Sequence, residues 1–277
     1  MIKYFFYYKE VKLRVGVFDS GLGGLTVVKA ISETFKGAEI FYIADTMFAP
    51  YGEKTKEQIL QHSLDLTNYL IEEHSIDALI VACNTATSAA ISELRRMFPH
   101  LIVIGTEPGI KPAIELSKSG NIGVLATPAT LKGSKYQSLV DKLFSKKEVK
   151  LFEQACPGLV EQIENGHIKE EKTILMLQHW LKDMLSNNVD TIVLGCTHYP
   201  LVSETIKDIM GSEINLIETG FAIAKRLENL SKEKGHINIG PLKINVYFTG
   251  EINLKMVDSI LDNWIDGGKI KVRNRYE

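Results

Sequence analysis

The chain has 277 residues, 45% of them hydrophobic and 24% charged, with a formal net charge of -2. That composition supports one large or two ordinary globular domains and excludes a disordered chain. No basic run offsets the near-neutral balance, so there is no electrostatic case for nucleic acid. No apolar stretch is long enough to span a membrane. Three widely spaced cysteines do not make a secreted disulfide framework, and the lack of C-x-x-C spacing leaves structural zinc without support. Residues 1–13 read as a short extension whose aromatic patch, Phe5 to Tyr8, is too brief for a signal peptide, so a cytoplasmic protein is expected.

The first strand is predicted at 15–18, a continuously apolar run. Phe18-Asp19-Ser20-Gly21-Leu22-Gly23-Gly24 follows and opens a helix. A dinucleotide fingerprint is the rival reading, with Asp45 near the spacing of a ribose contact. The third glycine of that fingerprint is missing, no P-loop lysine follows, and Asp19 would repel a pyrophosphate. A tight glycine-lined loop that presents Asp19 and Ser20 to a small ligand fits better. A second strand at 40–43 leads to Asp45-Thr46 and Pro50-Tyr51-Gly52. This segment is either a plain turn or a place where backbone approaches a carboxylate.

After a helix at 56–73 comes a strand at 78–82, then Cys83-Asn84-Thr85 and a helix at 87–97. Further strands are expected at 102–104, 122–125, 149–153, 191–194 and 214–217, with helices at 131–143 and 170–186. Thr127 and Thr130 follow the strand at 122–125, where they either hold an anion or, for Thr130, cap the next helix. Cys156 precedes Pro157 without polar neighbours and reads as structural, whereas Cys196 is followed by Thr197 and His198. Strands alternating with helices give an α/β architecture with mainly parallel sheets, whose ligands sit at the carboxyl ends of the strands.

The pattern occurs twice. Asp77-Ala-Leu-Ile-Val-Ala-Cys83 and Asp190-Thr-Ile-Val-Leu-Gly-Cys196 share an aspartate, an apolar run and a cysteine in one register. Upstream, Gly16 and Gly123 lie in similar strands, 67 and 73 residues before their cysteines. Two similar domains related by a pseudo-twofold axis are therefore expected, with a boundary near Gly105–Pro108. A single cysteine is more often a buried core residue than a reactive one. Two at equivalent strand ends would face one another across an inter-domain cleft, each before a helix whose dipole favours thiolate.

Six motifs in order carry a resemblance to a known family: VFDSGLGGLTV (17–27), PYGEKT (50–55), ACNTATSAA (82–90), EPGIKPA (107–113), ACPGLVEQIENG (155–166) and GCTHYPL (195–201). From about Arg14 onward the chain resembles the glutamate racemases of the aspartate/glutamate racemase superfamily. The resemblance implies two α/β domains, 1–106 with 220–277 and 107–219, with the active site between them, a C-terminal segment returning to the first domain through a strand at 246–249, and no cofactor. It implies Cys83 and Cys196 as proton donors and acceptors, with Asp19 assisting Cys83, and Glu164 and His198 assisting Cys196. It assigns substrate contacts to Asp19, Ser20, Tyr51, Gly52, Asn84, Thr85, Thr127, Thr130, Thr197 and His198, and no metal ligand. The chain departs from the family pattern at Ala44-Asp45-Thr46-Met47-Phe48, at Glu161 in place of proline, and at Glu218 in place of aspartate.

The implied reaction removes the Cα proton of glutamate and returns one to the opposite face, supplying D-glutamate for peptidoglycan. Cys83 would deprotonate D-glutamate and Cys196 L-glutamate. No context for a Schiff-base lysine is evident, so carbanion stabilisation falls to amides and hydroxyls around the α-carboxylate. A homodimer acting on free glutamate, without nucleic acid or membrane, is expected. The alternatives are an aspartate racemase or related isomerase, or a non-catalytic racemase-like binding protein.

Overall fold

The computed structural model describes residues 12–144, 149–236, 240, 242–261 and 269–274. The aromatic patch of the N-terminal extension and the last three residues lie outside them. The first half runs β1 (Arg14–Asp19), α1 (Leu25–Thr34), β2 (Glu39–Ala44), α2 (Lys56–His74), β3 (Ala78–Val81), α3 (Asn84–Met97) and β4 (Ile102–Gly105). After α4 (Ile110–Leu116) the second half runs β5 (Asn121–Ala126), α5 (Pro128–Lys132), α6 (Ser134–Phe144), β6 (Lys150–Ala155), α7 (Leu159–Glu164), α8 (Glu171–Ser186), β7 (Thr191–Gly195), α9 (Ser203–Met210) and β8 (Asn215–Ile217). The chain ends with α10 (Gly220–Glu233), β9 (Lys243–Phe248), α11 (Leu254–Leu261) and β10 (Lys269–Asn274).

Two parallel sheets result, ordered β10-β9-β2-β1-β3-β4 and β6-β5-β7-β8. The last four strands of the first sheet have the same order as the whole of the second. Strand register makes the likeness exact at the residue level. Val15 pairs with Ala78 and Phe18 with Val81, while Ile122 pairs with Thr191 and Leu125 with Leu194. Cys83 and Cys196 each stand two residues beyond the second of these pairs. The two aspartates of the repeat also correspond, because each ties down the chain ahead of its central strand. Asp77 accepts from the Arg14 N–H at 2.8 Å. Asp190 accepts from the Lys118 and Ser119 N–H groups at 2.7 Å and from the Ser117 hydroxyl at 2.6 Å.

The central strands β1, β3, β5 and β7 are apolar through most of their length because both faces are covered. In the first sheet Val15, Val17, Ile40, Tyr42, Ile80 and Val246 pack under α1, α10 and α11. The alternate residues Phe18, Phe41, Ile43, Leu79 and Val81 pack under α2 and α3. Gly16 and Gly123 are equivalent in register, and each admits a neighbouring side chain: a Cβ would meet Ile76 Cδ1 at 2.8 Å or Met184 Sδ at 2.6 Å.

Three elements depart from the sequence expectation. The helix expected at 131–143 is two helices broken at Gly133. The helix expected from residue 87 begins at Asn84, so Cys83 is its N-cap. β10 was not anticipated, because its charged, short alternation gives no continuous apolar run. The expected strand at 246–249 is β9, parallel to β2 in the first sheet. Among the described residues no helix is long and apolar enough to cross a membrane.

Partial burial works against the charged form of Asp190, but its hydrogen bonds from Ser117, Ser119, Lys118 and Thr191 outweigh this and hold its carboxyl below the usual range. Asp190→Ala should cost about 1 kcal/mol in urea unfolding at neutral pH, the low end for a partly exposed group. A depressed folded pKa stabilises above the unfolded value and loses that effect as pH falls through the folded one, so the cost should shrink below about pH 4. An undiminished cost in acid would contradict this.

Candidate active site

The carboxyl ends of the two sheets face one another across a cleft of about 110 Å³. Cys83, Ser20, Tyr51, Gly52, Asn84 and Thr85 line it from the first half. Thr127, Thr130, Cys196, Thr197 and His198 line it from the second, and neither lysine nor arginine is among the lining residues. Asp19 and Glu164 lie immediately behind this surface, bonded to residues that form it. The ten residues expected to contact substrate and the five expected to be catalytic are thus gathered in one place.

Cys83 caps α3, its Sγ accepting from the Ala86 N–H at 3.4 Å. Ser20 Oγ lies 3.9 Å from the same sulfur and donates to Asp19 Oδ1 at 3.2 Å. Asp19 also accepts from the Gly21 N–H at 3.2 Å and, across the cleft, from the Thr197 hydroxyl at 2.7 Å. Burial, then the Asp19 charge, push the Cys83 thiol up to about 12 despite the Ala86 donor. Burial also raises Asp19, opposed by His198 and by the Thr197 and Gly21 hydrogen bonds.

The setting of Cys196 is different. No helix starts at this cysteine; residues 196–198 form a turn leading to a short 3-10 segment, Tyr199–Val202, ahead of α9. The expected helix dipole therefore acts on Cys83 alone. In its place His198 Nδ1 lies 3.7 Å from Cys196 Sγ, and His198 Nε2 lies 2.5 Å from Glu164 Oε1. Burial opposes charge on His198, yet its hydrogen bonds to Cys196 and Glu164 and the Glu164 charge prevail and raise it well above the ordinary imidazole range. His198 is thus flanked by Cys196 at one ring nitrogen and by Glu164 at the other.

Both polar atoms of the Asn84 side chain are buried and without a hydrogen-bond partner. Asn84 also lines the cleft, so its amide is open to a polar group there. Thr127 caps α5, accepting from the Thr130 N–H, and its hydroxyl lies 2.9 Å from that of Thr130 and 3.4 Å from that of Thr85. Thr127, not Thr130, is the helix cap, which leaves the three hydroxyls clustered at the cleft.

Sequence reasoning missed several residues. Cys156, read as structural, lines the cleft with Glu161 and Glu53. Its place just beyond β6 matches that of Asp45 beyond β2, a correspondence visible only once the strands are in register. Asp45 proves to be a support: it accepts from the Tyr51 hydroxyl at 2.5 Å and from Thr249 at 2.8 Å. That pair anchors the Pro50–Gly52 segment to the end of β9.

The Asp/Glu/Hydantoin racemase family model matches residues 15–227. The chain is 66% identical over 251 residues to a glutamate racemase of Aliarcobacter butzleri, covering 91% of this chain and 96% of that protein. Its structure is similar to that of a glutamate racemase isoform from Bacillus anthracis, with a TM-score of 0.81, 30% identity, and coverage of 96% of this chain and 97% of that one. A glutamate racemase from Francisella tularensis in complex with D-glutamate is also similar, with a TM-score of 0.77, 28% identity, and coverage of 94% and 97%.

A thiol held this high should react slowly with electrophiles at neutral pH. Site-resolved alkylation of Cys83 by iodoacetamide should keep rising through about pH 10; a plateau reached near neutrality would contradict the buried-thiol setting. The equivalent cysteines, the shared cleft and the relatives at high identity lead to one conclusion: the chain belongs to the Asp/Glu/Hydantoin racemase family and is an amino-acid racemase.

Proposed function

We propose that the chain interconverts L- and D-glutamate without a cofactor, using Cys83 and Cys196 as two acid/base groups on opposite faces of Cα. The carrying observation is the register equivalence of the two cysteines at the ends of facing sheets. Glutamate is favoured by the relative's name and by the D-glutamate complex of a similar racemase. The two-domain division at 106 and 220 is part of the same reading, as is supply of D-glutamate for peptidoglycan.

The Cα proton is far less acidic than a free thiol, whose pKa is about 8.5. The site must therefore stabilise developing negative charge as well as position a base. Asn84, with its open amide, and the hydroxyls of Thr85, Thr127 and Thr130 are the donors for the substrate's carboxylates, while Thr197 lines the cleft with its hydroxyl committed to Asp19. Tyr51 and Gly52 form the wall for the distal carboxylate. In a cleft this small, water is largely displaced by substrate, which strengthens each of these interactions.

In one direction the Cys196 thiolate takes the proton from L-glutamate and the Cys83 thiol delivers its own to the other face. The high resting position of Cys83 suits it to that delivery. The proton held between His198 and Glu164 places positive character beside the Cys196 sulfur. In reverse, Cys83 must first lose its proton. Ser20 can accept it while passing its own to Asp19, so that a carboxylic acid and a thiolate replace a carboxylate and a thiol.

Replacing either cysteine by alanine should lower racemisation, followed by circular dichroism, by about 10²–10⁴-fold. In D₂O, each inversion by the native enzyme should leave deuterium at Cα. Full activity in either variant, or inversion without deuterium, would overturn the two-thiol reading. A substrate panel including aspartate separates glutamate from its nearest rival.

A further inference from the structure

The glycine-rich segment after β1 does more than expose Asp19 and Ser20. Residues 21–23 do not line the cleft. Their backbone instead faces the second half. The Leu22 N–H donates to Glu164 Oε1 at 2.7 Å, and the Gly23 N–H points at His198 Nε2 at 3.2 Å. Thr26 Oγ donates to the Gly23 carbonyl at 2.8 Å and to the Thr197 carbonyl at 3.1 Å, which pins the loop to the turn carrying His198. From below, the buried Tyr42 hydroxyl donates to the Gly21 carbonyl.

The glycines are required by this approach. A Cβ on Gly21 would collide with Glu164 Oε1; one on Gly23 would collide with His198 Nδ1 and lie 2.6 Å from Thr197 Oγ1. Both are contacts that real side chains do not make. At other positions the chain tolerates a near neighbour by moving a flexible side chain, but here the neighbours are the histidine and glutamate themselves.

We infer that Gly21–Leu22–Gly23 is a socket that positions the Glu164–His198 pair, so that the first half's backbone sets the partner of the second half's thiol. This rests on the reading of Cys196, His198 and Glu164 as acid/base machinery and extends it to residues that touch neither substrate nor sulfur. The geometry also bears on where the shared proton sits. His198 Nε2 has two neighbours, the Glu164 oxygen and the Gly23 N–H. When the proton is on Glu164, the single Nε2 lone pair is shared between that O–H and the Gly23 N–H. When it moves to Nε2, that N–H loses its acceptor. The socket therefore senses, and weights, the position of the proton next to Cys196. Three of these contacts cross between the halves, so the second base is assembled only where the halves meet.

A double-mutant cycle tests this on the full-length enzyme. Gly23→Ala is made alone and in a His198→Asn background, and kcat is measured with L- and D-glutamate. With His198 present the alanine should cost on the order of tenfold; with His198 gone only the Thr197 contact remains, and the cost should fall to about threefold or less. Thr26→Val, which adds no atom beside the ring, is carried through the same cycle so that a folding failure of Gly23→Ala leaves the question open to measurement. In Thr26→Val the imidazole nitrogen chemical shifts of His198, which report the proton's position, should also move. Equal costs in both backgrounds, with unmoved shifts, would overturn the socket while sparing the catalytic pair. Full activity in His198→Asn alone would overturn the pair itself, and the socket with it.

Discussion

Two carboxylates, Asp19 and Glu164, are held against the catalytic cleft with no lysine or arginine lining it to balance them. Buried charge is tolerated only when donors surround it. Here each carboxylate draws one donor from the opposite half: Thr197 reaches across to Asp19, and Leu22 reaches across to Glu164. Neither carboxylate is satisfied by its own half alone. The contact between the two halves and the setting of both thiols are tied to these cross-cleft bonds.

The fold repeats itself but the chemistry does not. Strand register puts Cys83 and Cys196 at the same height in sheets of the same order, and Asp77 and Asp190 perform the same tethering at the opposite end of their strands. Around the sulfurs the likeness stops. The residue equivalent to Asp19 in the second half is Ala126, at the end of β5. The first thiol therefore has a helix N-terminus, a serine and a carboxylate, while the second has a turn, a histidine and a glutamate. On the proposed two-thiol mechanism, a chiral substrate would meet two different surroundings on its two faces, and both would serve one exchange. Different means reach the same end.

Much of this was legible in the sequence because continuous apolar strands and polar residues at their tips leave a strong one-dimensional trace. The Asp-to-Cys runs exposed the repeat, and the six motifs named the cleft residues. What escaped depends on contacts without sequence signatures. A backbone N–H looks the same in every residue, so the socket at Leu22 and Gly23 could not be read from a glycine pattern shared with nucleotide-binding loops. Cys156 looked structural because its own neighbours are bland, although its position beyond β6 brings it to the cleft. The dipole expected at Cys196 failed because a Thr-His-Tyr-Pro turn intervenes before α9. β10 escaped because an edge strand with alternating charges lacks the apolar run that marks its buried neighbours.

The central claim is that one Cα lies between two thiols. A crystal structure of the protein with glutamate bound tests it most directly. The account predicts Cα between Cys83 Sγ and Cys196 Sγ, with one sulfur on each face and both within about 4 Å, the range of a near-attack arrangement. Both sulfurs on the same face, or one of them separated from Cα by another side chain, would contradict it.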